Sequence, residues 1–288
     1  MAIKPETEKP EILKKALKPS KSQILRTDDL APEPEEWHVH YLPHMGISSG
    51  VHFALLLALF AVPSVAIKEA AQKAVNYLMA CQNPGSGWRY KNYNVAGTPA
   101  ESDGNNDTSV TGWAIMALKS AKVAELAVPD SGFVGGSAFL DAVYDAGADY
   151  KGTFGYTKAK AFVHRSPLTT TSVGILVRLL MGQSKGVNEG ASTVLERLPE
   201  AGKNANFYYW YYATLALFQL GGEPWTQWNG AMKDALCKTQ DATHGCADGS
   251  WDPANDTWGD NGGRVYTTAV GALCLEVYYR YKKGMKVH

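Results

Sequence analysis

Apolar residues recur along the chain in blocks that have the spacing of helices. In one kind of block, such as residues 71–82, apolar residues stand at i, i+3 and i+4 with polar residues between them, which is typical of an amphipathic helix. In the other kind, such as residues 108–118, nearly every residue is apolar or small, which indicates a helix buried on several sides. Alternation of single apolar and polar residues is nearly absent. The pattern therefore predicts an all-α fold.

The blocks form an internal repeat. The segments GISSGVHFALLLAL, DTSVTGWAIMAL, TTTSVGILVRLL and YTTAVGALCLEV align on four glycines, and YYWYYATLALFQ fits as a fifth copy. The five marker positions are 50, 112, 174, 211 and 271, so three intervals are 60 to 62 residues long and one is 37. Each copy predicts an inner helix, and these helices are expected to begin near Ser48, Thr108, Thr170, Tyr208 and Thr267.

Amphipathic helices precede the inner helices and are expected to lie outside them. Three of them are followed by a glycine-aromatic loop, at Gly87-Trp88, Gly155-Tyr156 and Gly249-Ser250-Trp251. The repeating unit is therefore an outer helix, an aromatic turn and an inner helix. Hairpins of this kind cannot bury their inner helices alone, so they are expected to stack, and the most economical closed stack is a ring.

One motif carries a resemblance to a known family. Residues 73–88, with Lys73, Tyr77, Gln82 and Trp88, resemble the QW motif of the terpenoid cyclase and protein prenyltransferase family, although the residue between the glycine and the tryptophan is absent. Residues 240–251 resemble a stretched second copy. The resemblance covers about residues 45–281 and extends to bacterial proteins with prenyltransferase and squalene oxidase repeats. It implies an α/α toroid of about five helical hairpins with buried inner helices in residues 41–288.

The first forty residues have a different composition. They contain five prolines and many charges of both signs, so residues 1–40 are predicted to be a disordered tail. Over the whole chain 28 Lys and Arg balance 28 Asp and Glu, which excludes the basic surface typical of nucleic-acid binding. The apolar run at residues 51–66 is shorter than the roughly 20 residues of a membrane span, and no span is expected. A start at Met45 would make this run a signal peptide, and that alternative stays open.

Candidate site residues lie at the expected N-terminal ends of the inner helices. In a toroid these ends converge, and their free N–H groups suit a phosphate or carboxylate head group whose apolar tail enters the central cavity. Asp107 is the candidate catalytic acid, with a helix N-cap as its simpler role. Arg264 has pairing with Asp256 or Asp260 as its simpler role. The candidate ligand-binding residues are His44, Arg165, Tyr209, Arg264 and Tyr266.

The catalytic motifs of the resembled family are absent. Class II cyclases use a DxDD-type acidic cluster, whereas this chain has only Glu101, Asp103 and Asp107 in that region. Prenyltransferases hold zinc through Asp, Cys and His, and the local cluster of those types here lies in a loop, so no metal or other cofactor is expected. That cluster is Cys237, His244, Cys246 and Asp248.

The sequence therefore predicts a class of ligand but no specific reaction. The resemblance implies a squalene-cyclase-like or prenyltransferase-like toroid that handles an isoprenoid or terpenoid ligand, with turnover left open. The alternative is a noncatalytic scaffold that binds a protein or a glycan. A disulfide between Cys237 and Cys246, which flank an eight-residue loop, would favour the cell envelope over the cytoplasm, and the location otherwise stays open.

Overall fold

The computed structural model describes residues 65–90, 106–162, 166–202 and 205–280. Two short antiparallel strands, β1 (Tyr144–Asp145) and β2 (Thr153–Phe154), and two 3-10 turns, Ala148–Tyr150 and Pro253–Asn255, accompany the helices. The prediction of an all-α fold is confirmed for these residues. The α-helices are α1 (Val65–Ala80), α2 (Thr108–Val123), α3 (Asp130–Val143), α4 (Leu168–Leu180), α5 (Val187–Leu195), α6 (Phe207–Leu220), α7 (Gly222–Thr239) and α8 (Gly259–Arg280).

The even-numbered helices form a packed row, and the odd-numbered helices flank it. The even-numbered helices pack against one another in chain order, α2 on α4, α4 on α6 and α6 on α8. Each odd-numbered helix packs against an even-numbered one next to it in the chain, and α5 also packs on α7. Helices are thus observed at four of the five positions predicted for inner helices. The fifth, expected near Ser48, and the predicted tail at residues 1–40 lie outside the described residues, so ring closure stays a prediction.

The inner helices begin close to the predicted positions. Helix α2 begins at Thr108 as predicted, α4 at Leu168 and α6 at Phe207, which are within two residues of the expected starts. Helix α8 begins at Gly259, earlier than the expected Thr267. Its first turn is separated from the rest by Gly263, whose φ of 63° is not helical and lies in the left-handed region that favours glycine.

The two predicted tryptophan plugs are buried. Trp88 is 2% exposed and Trp251 is 3% exposed. The indole N–H of Trp88 donates to the Leu78 carbonyl at 2.8 Å, and that of Trp251 donates to the Leu236 carbonyl at 2.9 Å. Each tryptophan therefore ties the end of an outer helix to the turn that leads into the inner helix.

A second contact, which we call the clasp, joins the aromatic residue of the turn to the inner helix. The backbone N–H of Trp88 donates to Thr111 Oγ1 at 3.0 Å, and that of Trp251 donates to Thr268 Oγ1 at 3.3 Å. In the α3–α4 hairpin the same contact is made by residue 154.

The aromatic residue of the α3–α4 turn is Phe154, and the assignment of Tyr156 to this role was wrong. The Phe154 N–H donates to Thr171 Oγ1 at 3.2 Å, and its side chain is fully buried. A side chain on Gly174 would overlap the Phe154 ring, which explains the glycine in α4. Tyr156 lies beyond the turn and is only partly buried.

Among the described residues, the hairpin of α5 and α6, which has the short repeat interval, shows no clasp. The N–H of Phe207, at the start of α6, donates to Asp256 Oδ2 at 2.7 Å, and the Thr257 N–H donates to the Ala205 carbonyl at 2.9 Å. Asp256 belongs to the turn before α8. The start of α6 is therefore held by hydrogen bonds to the turn that precedes α8.

Two further expectations concern the membrane and the cysteines. None of the helices in the described ranges is both long and apolar enough to cross a bilayer. All four cysteines are free thiols, with Cys81 and Cys274 buried and Cys237 and Cys246 exposed. The disulfide considered between Cys237 and Cys246 is not formed in this structure.

Candidate functional site

Three chain segments meet at the start of α2. The Asp107 N–H donates to the Trp88 carbonyl at 3.0 Å, and the Thr108 N–H donates to the Tyr156 carbonyl at 2.9 Å. The Thr108 hydroxyl donates to the Gly155 carbonyl at 2.6 Å. These bonds fix the loop after α1 and the loop before α4 on either side of Asp107.

The two oxygens of the Asp107 carboxyl have different surroundings. Oδ1 accepts from the Val110 N–H at 2.8 Å, which makes Asp107 the N-cap of α2 as considered from the sequence. Oδ2 is buried and completes no hydrogen bond with a described residue. The whole side chain is buried. Asp107 therefore stabilises the helix with one oxygen and keeps the other free.

Burial is the main influence on the acidity of Asp107. It raises the pKa of the carboxyl to about 6, against smaller lowering effects of the Val110 N–H, the Arg89 charge and the Tyr156 hydroxyl. The Tyr156 hydroxyl lies near the carboxyl without completing a hydrogen bond to Oδ2. Asp107 consequently exchanges a proton close to neutral pH, as general acids commonly do.

Three phenols surround this carboxyl. Burial, followed by the charge of Asp107, raises the pKa of Tyr156 to about 12 and that of Tyr90 still further. Burial also raises the pKa of Tyr208, and Asp107 contributes to that increase. The three hydroxyl groups therefore stay protonated at neutral pH and are available as hydrogen-bond donors.

Arg89 completes what we call the Asp107 cluster, which consists of Arg89, Tyr90, Asp107, Tyr156 and Tyr208. The Arg89 guanidinium carbon lies 6.0 Å from the centroid of the Tyr156 ring. Its Nη1 atom is buried and has no hydrogen-bond partner among the described residues. Arg89 was not predicted as a site residue, and its position directly after the Gly-Trp turn was the available signal.

Aromatic rings continue from the cluster between α2 and α6. Trp113 contacts Tyr212 edge-on, with centroids 5.6 Å apart, and lies roughly parallel to Tyr211 at 6.0 Å. Tyr208 contacts Tyr212 edge-on at 5.0 Å. Trp113 and Tyr208 are partly accessible, whereas Tyr211 and Tyr212 are buried. Partly exposed aromatic side chains next to a buried acid suit an apolar or a cationic ligand.

The structure separates the predicted tyrosines. The Tyr266 hydroxyl is buried without a hydrogen-bond partner among the described residues, and Tyr208 is among the groups that raise its pKa, so it lies near the cluster. Tyr209 is directed away from it. Its hydroxyl donates to the carbonyls of Val194 at 2.8 Å and Arg197 at 2.9 Å, on the side of the outer helices.

Arg264 is engaged by the turn before α8. Its Nη2 donates to Asp252 Oδ2 at 2.8 Å and its Nη1 donates to Ser250 Oγ at 2.9 Å, while Asp241 lies 3.7 Å away. Its acidic partners are therefore Asp252 and Asp241, where the sequence suggested Asp256 or Asp260. The remaining predicted site residues, His44 and Arg165, lie outside the described residues.

Neither a metal-binding group among the described residues nor a similar known protein was found to help define this site. In the described part of the chain, no group of three or more His, Cys, Asp or Glu side chains is arranged to hold a metal ion. Comparison of the sequence with models of known protein families and with curated proteins gave no match.

Proposed function

We propose that this chain is an α/α toroid that binds an apolar, isoprenoid-type small molecule at the N-terminal ends of its inner helices, with Asp107 as the acid that faces the ligand. The observation that carries the proposal is the Asp107 carboxyl, which is buried, has a pKa raised to about 6 and keeps Oδ2 without a hydrogen bond near the partly exposed Tyr208. A carboxylic acid that is partly protonated near neutral pH can donate a proton or a hydrogen bond.

The surroundings of Asp107 support ligand binding in this place. Phenols of raised pKa stay neutral, so they add no negative charge next to an apolar ligand. The ring faces of Trp113 and Tyr208 attract positive charge that develops on a ligand when it accepts a proton. Binding and proton transfer are separate parts of the proposal and are tested separately.

An exposed apolar face of α8 supports the proposal that the helices close into a toroid. Val265 is 84% exposed, and Ala269 and Ala272 on the same face are exposed as well. The inner helices α2, α4 and α6 have no comparable exposed row of apolar residues. In a closed toroid this face of α8 is the one that receives the first inner helix, which is expected near Ser48.

Native mass spectrometry of the protein purified from its own host tests the binding part. We expect a bound species with the mass of an isoprenoid lipid. The Trp113→Ala variant should lose it, because the accessible ring face is removed, and Tyr150→Ala, in an exposed loop, should keep it. A ligand-free mass together with a bound protein partner would reject the proposal and favour the scaffold alternative.

Deuterium incorporation tests the proton-transfer part. Wild-type protein incubated with its bound lipid in D2O should place deuterium on carbon, and Asp107→Asn should not. Asparagine also serves as an N-cap, so α2 is retained in this variant. Equal incorporation in the two proteins would show that Asp107 is not the proton donor, while the binding result would stand.

A further inference from the structure

We propose that Arg89 and Asp107 together bind the head group of a monocarboxylic acid whose body is apolar. This inference rests on the proposed function and names the chemical class of its ligand.

Two buried polar atoms of the Asp107 cluster lack partners, and they are complementary to a carboxylate. Arg89 Nη1 is a donor with nothing to donate to among the described residues, and Asp107 Oδ2 completes no hydrogen bond. Buried polar atoms without partners are rare in folded proteins, so each of them calls for a ligand or a water molecule. A carboxylate can accept one hydrogen bond from Arg89 and a second from protonated Asp107.

The charge of the cluster favours a single negative charge on the ligand. Among the described residues, Arg89 is the cation that acts on the Asp107 carboxyl. Arg264 is held in the turn before α8 by Asp252 and Ser250. A diphosphate would carry about three negative charges next to one guanidinium and one acid, and such like charges repel. With a monocarboxylate bound and Asp107 protonated, the single negative charge of the ligand offsets the single positive charge of Arg89.

The groups that face Asp107 come from three elements, and they set the pH dependence. Arg89 and Tyr90 belong to the loop after α1, Tyr156 to the loop before α4, and Tyr208 to the start of α6. The phenols remain neutral through this pH range. An anionic ligand therefore favours protonated Asp107, and binding above the free-state pKa takes up one proton. Affinity should fall as the pH rises, by up to tenfold per unit above about 6.

Titration with three matched C15 isoprenoid probes, followed by tryptophan fluorescence, tests the inference. The probes are the carboxylic acid, the alcohol and the diphosphate of the same chain. At pH 6.5 the acid should bind more tightly than the other two. Arg89→Gln should lower the affinity for the acid roughly ten- to a hundredfold, since it removes a charge-assisted hydrogen bond, and should leave the affinity for the alcohol unchanged. Arg89→Lys should restore part of the affinity, and Arg197→Gln, an exposed arginine, is the matched control.

The outcomes separate this inference from the proposed function. Equal binding of the acid and the alcohol, or no effect of Arg89→Gln on the acid, overturns the carboxylate assignment and leaves apolar binding intact. Tighter binding of the diphosphate through Arg89 overturns it as well. Failure of all three probes counts against the proposed function itself. The loss of affinity between pH 6.5 and 8 should be present in the wild type and absent in Asp107→Asn, and an unchanged slope in that variant would remove Asp107 from the head-group site.

Discussion

Asp107 combines a structural role and a chemical one in a single side chain. Its Oδ1 accepts from the Val110 N–H and begins α2, and its Oδ2 faces Arg89 and the phenols. The helix therefore holds the carboxyl in place, and burial raises the pKa of the carboxyl to about 6. Ionisation of such a group opposes folding, because the charged form loses its hydration in the folded state.

The pH dependence of stability should report this cost. The pKa of Asp107 is higher in the folded state, at about 6, than its ordinary value of 3.8, so its contribution to stability is fully present below 3.8 and is lost as the pH rises through 6. Asp107→Asn keeps the cap without the charge. We expect the free energy of unfolding of this variant, relative to wild type, to increase by about 2 kcal/mol between pH 4.5 and 7.5 in urea titrations.

An exposed carboxyl provides the control for this measurement. Asp234→Asn, on the solvent side of α7, should give no comparable increase, because ionised Asp234 is hydrated and paired with Lys238. A flat difference between Asp107→Asn and wild type over the same range would show that the Asp107 carboxyl is not desolvated.

Glycines decide how closely the helices and turns approach. Gly174 in α4 lies against the Phe154 ring, and Gly271 in α8 lies against Trp251, where an added Cβ would be 3.0 Å from the indole. Gly112 in α2 instead faces Val173 of the neighbouring inner helix. Glycines at aligned positions thus allow two kinds of close contact. Gly174 and Gly271 let an inner helix approach the aromatic residue of its turn, and Gly112 lets two neighbouring inner helices approach each other.

A pair of glycine substitutions should have opposite effects on stability. Gly174→Ala places a methyl group in the Phe154 ring and should cost about 1–3 kcal/mol through overpacking. Gly230→Ala, at an exposed site in α7 with no atom within 4 Å, should add about 0.5–1 kcal/mol, because alanine loses less backbone entropy in a helix. Thermal or urea unfolding of both variants checks the pair. Stabilisation by Gly174→Ala would mean that α4 and the Phe154 turn are less tightly packed than described.

Helices were easier to predict than the contacts between them. The start of α2 at Thr108 follows from an Asp-Thr-Ser cap ahead of an apolar run, which is local information. The choice of Tyr208 over Tyr209 for the cluster depends on the rotation of α6. A helix that is apolar on all sides carries no periodic signal of that rotation. Arg89 and Tyr156 meet through loop geometry, which no local pattern of the sequence encodes.

At the scale of the molecule, the described helices form a row of four inner helices with two ends. Helix α6 has an inner neighbour on each side, whereas α8 packs extensively on α6 alone among the described inner helices. The exposed row of Val265, Ala269 and Ala272 lies on α8. An apolar face of this kind at the end of a stack is a place where a further repeat is expected to pack.

Disulfide trapping tests the closed ring. Single cysteines at positions 51 to 61 would be combined one at a time with Ala269→Cys, in a chain whose exposed Cys237 and Cys246 are replaced by serine. If the first inner helix packs on α8, cross-linking should peak at every third or fourth position, since one helical face is presented. Uniform or absent cross-linking would contradict the closed toroid, and non-reducing electrophoresis measures the yield.

The clasp also makes each hairpin that contains it a unit for protein engineering. In three hairpins the N–H of the turn aromatic bonds a threonine only 17 to 23 residues further along the chain. The bond between the turn and the inner helix is thus carried within the excised segment itself, whereas α3 packs on the preceding inner helix α2. Moving the α3–α4 segment therefore keeps its clasp intact but must bring a partner for α3 in place of α2, whereas α5–α6 must be moved together with the turn that carries Asp256.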